Sequence, residues 1–134
     1  MTALTADRNT RRRNDRELEA HPVKGGVKIY AGALVVLDAA GWAMPGATGV
    51  GLFTVGRADE QVAAVTNGDA MVRTRRGVLH FANSGGADAI TRAEIGDPAY
   101  VVDDQTLAKT NGSGTRSAAG IIRDVDAQGV WVEL

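Results

Sequence analysis

"AMVRTRRGVLHF", residues 70–81, decides the fold class. In an extended chain, Ala70, Val72 and Thr74 fall on one side, and Met71, Arg73 and Arg75 on the other. Beyond Gly77 the alternation resumes, with Leu79 and Phe81 opposite Val78 and His80. A period of two with one wet face predicts half-buried β-strands. The last residues, "GVWVEL", repeat it: Val130 and Val132 share one face, Trp131 and Glu133 the other.

Working outward, similar short runs recur, bounded by Gly, Asn, Asp or Pro: "GVKIY", "ALVVL", "GLFTV", "QVAAV", "AYVVD", "TLAKT" and "AAGIIRDV". Most are spaced 8 to 12 residues apart, the rhythm of a sandwich or barrel. The best helical segment is "DAITRAEIG", residues 88–96. Its Ile90 and Ile95 lie five apart, and Gly96 and Pro98 stop it, so it reads as one turn or a loop leading into a strand that begins at Pro98. The expectation is an all-β chain of short antiparallel strands, with residues 1–16 as a basic extended arm and 17–134 as a single β domain, sandwich or barrel.

Of the 134 residues, 44% are hydrophobic but only 4% aromatic, so Val, Ile, Leu and Ala must build the core. There is no cysteine, which removes disulfides and thiolate metal sites. No apolar run approaches the roughly 20 residues needed to cross a bilayer. "MTALTADRNTRRRNDRELEA" lacks the apolar core of a secretory signal, so the expectation is a soluble protein with no membrane partner. The net charge of −1 is unevenly spread. Arg8, Arg11, Arg12, Arg13 and Arg16 against Asp7 and Asp15 give residues 1–16 a charge of +3, leaving −4 on the rest.

The candidate catalytic groups have bland readings. Asp103 and Asp104 in "AYVVDDQTLAKT" are adjacent, and adjacent strand residues point to opposite faces. A hairpin tip explains them better than an acid–base pair. Asp124 and Asp126 alternate about Val125 at a strand end, with too few neighbouring oxygens for a calcium loop. His21 and His80 form no metal-binding motif. Ser84, Ser113 and Ser117 lack a nucleophile elbow. "TNGSGTRSAAG" lacks the lysine of a phosphate loop and reads as a flexible connection. No cofactor is expected, and the chain reads as a non-enzyme.

The arginine run has three readings. A solvated tail ranks first, and an arm docking onto an acidic protein surface is close behind. A nucleic-acid arm is third, because the body is acidic and offers few aromatics for stacking. Two segments also read as exposed strand edges that a partner could extend: Leu18–Val23, and the terminal strand Val130, Trp131, Val132, Glu133 and Leu134.

Several stretches carry a family resemblance: "VKIYAGALVVLDAAGWAMPG", "GLFTVGRADEQV", and the C-terminal "GDPAYVVDDQT", "SAAGIIRDVD" and "GVWVEL". Through them the chain resembles the head cement, or decoration, proteins encoded beside the major capsid protein in tailed bacteriophages and prophages. The resemblance implies a jelly-roll-type β-sandwich and a non-enzymatic role on the outer surface of the head, in a protein made in the host cytoplasm. It implies the major capsid protein as partner, and a capsid bridge at a two-fold position favours a homodimer. A nucleic-acid-binding β module and a small tail or baseplate protein are the alternatives.

Overall fold

The computed structural model describes residues 2–13 and 17–134. These contain twelve strands, numbered in chain order, and no α-helix. No helix is long and apolar enough to cross a membrane among the described residues. An open sheet holds β1 (Leu18–Pro22), β7 (Met71–Arg75), β5 (Phe53–Ala58), β3 (Leu34–Leu37) and β4 (Ala43–Pro45), in that spatial order. A closed barrel runs β10 (Thr106–Ala108), β8 (Val78–Asn83), β12 (Gly129–Glu133), β11 (Ala118–Asp126) and β9 (Pro98–Val101). A two-stranded ribbon pairs β2 (Lys28–Ile29) with β6 (Val62–Ala63). The pairing is antiparallel throughout except β8 with β10.

The alternation read from residues 70–81 holds on both sides of the break. Val72 and Thr74 are buried while Met71 and Arg73 are exposed, and Phe81 is buried while Val78 and His80 are exposed. The two strands nevertheless belong to different layers: β7 lies in the open sheet and β8 in the barrel. The chain changes layer at Gly77, whose φ of 144° suits glycine and few other residues. Arg76 N–H still donates to Glu17 O at 2.9 Å, whereas Gly77 O already accepts from Leu134 N at 3.0 Å.

The described residues form two cores. Phe81, Ile90, Val101, Leu107, Ile122, Val130 and Val132 fill the barrel. Val23, Ile29, Val35, Val55 and Val72 pack on the inner face of the open sheet. β3 serves both: Leu34 joins the barrel core and its neighbour Val35 the sheet core. A strand buried on both faces needs the unbroken apolar run "LVVL". Each such side chain contributes about 1.5–3 kcal/mol by leaving water. The layers are stitched by Leu34 N to Asp104 O at 2.8 Å, Thr48 Oγ1 to Val102 O at 2.8 Å, and Thr54 Oγ1 to Ala118 O at 3.1 Å.

The segment 88–96 forms no α-helix. It makes a single 3₁₀ turn over Arg92–Glu94, closed by a capping box between Thr91 and Glu94, and β9 then begins at Pro98. Residues 110–116, expected as a flexible connection, are internally bonded. Arg116 pairs with Asp88 at 3.3 Å and donates to Thr110 O at 3.1 Å, and Asn111 O accepts from Thr115 and Arg116. β4 escaped the sequence reading because "AMP" is three residues long and ends in proline.

Candidate docking surface

The arm leaves the body through β1, the outer strand of the open sheet. β7 pairs with β1 on one side, and no strand among the described residues pairs with it on the other. The edge expected at Leu18–Val23 is therefore present, though Pro22 at its end lacks the N–H an added strand would use. Residues 2–13 form neither strand nor helix, and Thr10 N donates to Arg8 O at 3.0 Å. Arg8, Arg11, Arg12 and Arg13 are all exposed. Arg16 lies outside the described residues. Arg13 lines a groove of 320 Å³ on the sheet face, with Leu18, Ala20, Arg73 and Arg75.

Charge separates arm from body at this edge. The body arginines have acidic partners. Arg73 makes two 3.2 Å bonds to Glu60, Arg75 reaches Glu17 at 3.2 Å and Asp59 at 3.5 Å, and Arg76 reaches Glu19 at 3.0 Å. The guanidiniums of Arg8 and Arg11 meet no such acid among the described residues. They remain available to an acidic partner, as fork-shaped donors that grip carboxylates bidentately.

The second expected edge is corrected by the structure. Val130–Leu134 presents no free edge, because β12 lies between β8 and β11 inside the closed barrel. Val130 and Val132 are fully buried in the barrel core. A chain terminus does not make a sheet edge once the barrel closes on both sides of it. Of that segment Trp131 and Glu133 face out, and Glu133 is paired with Arg123 at 2.7 Å. Trp131 is held in place: its Nε1–H donates to Asp126 Oδ2 at 3.0 Å, and its ring meets the His80 ring with centroids 4.9 Å apart.

The candidate catalytic groups are placed as follows. Asp103 Oδ1 accepts from Gln105 N at 2.9 Å and Thr106 N at 2.8 Å, which makes it the turn residue between β9 and β10. Asp124 pairs with Arg92 at 2.9 Å. Asp126 accepts from Trp131, His80 and the amides of Gln128 and Gly129, and these bonds, the indole's first, hold its carboxyl down at about 2. Ser117 Oγ donates to Gly49 O at 2.7 Å and accepts from Leu52 N at 3.1 Å, fixing the loop before β5. His21 faces Glu19 at 3.9 Å, and its Nε2 is buried without a hydrogen bond. No group of three His, Cys, Asp or Glu side chains is arranged to hold a metal ion among the described residues.

One feature of the surface escaped the sequence reading. A 390 Å³ cleft lies at the seam between sheet and barrel, lined by Tyr30, Gly32, Asp104 and Gln105. Its signal was the surplus acid in "VVDDQT": Asp103 suffices for the turn, and the Asp104 carboxylate has no partner among the described residues.

Comparison of the chain with protein-family models, with curated proteins and with solved structures finds no match.

Proposed function

We propose that this protein is a structural virion protein that binds the outer surface of an icosahedral phage head and cements adjacent capsomers. The jelly-roll description of its β layers, the major capsid protein as partner, and a homodimer at two-fold positions belong to the same proposal, as does production in the host cytoplasm. The observation that carries it is the exposed basic arm leading into an edge strand, with Arg8 and Arg11 free of acidic partners among the described residues while the body arginines of that edge are paired. Such an arm suits an acidic groove on a large assembly. Many copies, each bound modestly, would reinforce a shell by multivalency. An arm of this kind is ordered by its partner, so arginine's pre-shaped donor fork limits the entropy lost on docking.

The test is co-sedimentation with expanded, DNA-free phage heads, comparing the intact chain with one lacking residues 1–16. Saturable binding that weakens without the arm is the expected result. Saturable binding independent of the arm would keep the role but move the interface to the β body. No binding to heads would overturn the proposal. Binding to free DNA that falls with salt would then favour the nucleic-acid module, and binding to tails the baseplate alternative.

A further inference from the structure

The cleft at the seam has a chemistry of its own. Tyr30 stands at its rim with 56% of its surface exposed. Lys28 Nζ is 5.0 Å from the Tyr30 ring centroid, so the ring already serves as a cation acceptor. Asp104 lines the same cleft and is half-buried, and its carboxylate has no hydrogen bond or ion pair among the described residues. A carboxylate without a partner is open to whatever cation can reach it. An aromatic ring and a carboxylate lining one cleft match a guanidinium, which stacks through its plane and donates through its edge.

The chain carries the complement elsewhere. Arg8 and Arg11 are exposed and have no acidic partner among the described residues, and no described arm residue lines the cleft of its own chain. The twelve described arm residues can span about 40 Å when extended, enough to reach a neighbouring body. We propose that the Tyr30–Asp104 cleft is a guanidinium site that takes an arm arginine from a second copy of this chain. Two copies joined in this way exchange arms about a two-fold axis, each giving an arm and receiving one.

The test uses the full chain in sedimentation velocity over a range of concentrations and salt, without phage heads. Its failure therefore leaves the head-binding proposal standing. The expected result is concentration-dependent self-association that weakens with salt. Asp104→Asn should weaken it about tenfold or more, the scale of one lost charge-assisted pair. This variant should fold normally, because the structural bond at this position, to Leu34 N, uses the backbone carbonyl. Replacing Arg8, Arg11, Arg12 and Arg13 together by Ser should have the same effect. A mixture of the two variants should regain association, since one supplies the arm and the other the cleft. A chain that stays monomeric, or self-association unchanged by Asp104→Asn, would overturn the proposal. So would failure of the mixed variants to associate.

Discussion

Asp126 and Trp131 face each other across the turn that joins β11 to β12, with the indole Nε1–H donating to the carboxylate at 3.0 Å. The same carboxylate accepts from Gln128 N and Gly129 N, both at 2.9 Å, and faces His80 Nε2 at 3.2 Å. One side chain thus closes the turn and fixes the exposed indole. These donors hold the Asp126 carboxyl at about 2, below its ordinary 3.8. The unfolded chain then takes up this proton first as the pH falls. The stabilisation is full above about 4 and drains away as the pH falls through about 2. Asp126→Asn should flatten that acid limb in urea unfolding followed across pH. An unchanged limb would show that the Asp126 bonds are not made in solution.

His21 predicts a separate limb. Burial lowers its pKa from 6.5, Arg76 and Arg13 push in the same direction, and Glu19 opposes them. The unfolded state therefore binds the proton first, and stability declines as the pH drops below 6.5 towards the folded value. His21→Gln should remove this slope and leave the Asp126 limb intact. A wild-type urea midpoint that stays level through this range would count against the buried, unbonded ring.

Leu34 is the plug that β3 sends into the barrel core, and it is fully buried. Leu34→Ala should cost about 2–5 kcal/mol, the range for cavities left by truncated core leucines. Chemical denaturation measures it. A cost below about 1 kcal/mol would mean that the barrel is filled without Leu34.

Gly56 sits in the β5 bulge with φ of 145°, and a Cβ there would stand 2.8 Å from Arg75 O. Gly56→Ala should destabilise the open sheet by about 1–3 kcal/mol, combining strain with a backbone clash. Amide exchange should quicken first in β5 and β7. Exchange that quickens in the barrel strands instead would place the coupling elsewhere.

The sequence by itself determined the local layer of this protein. Alternation put Val72 with Thr74, Leu79 with Phe81, and Val130 with Val132 on shared faces, and the structure turns those faces inward. The same local rules set the Asp103 turn, the strand start at Pro98 and the basic arm, because each depends on residues within a few positions of one another. The tertiary structure decided which strands pair. Residues 70–81 read as two like strands, yet β7 and β8 belong to different layers, and the terminal strand lies inside a closed barrel. Strand partners come from distant parts of the chain, and no local pattern names them. The same non-local pairing sorted two adjacent aspartates, leaving Asp103 in the turn and Asp104 in the seam cleft that Tyr30 also lines.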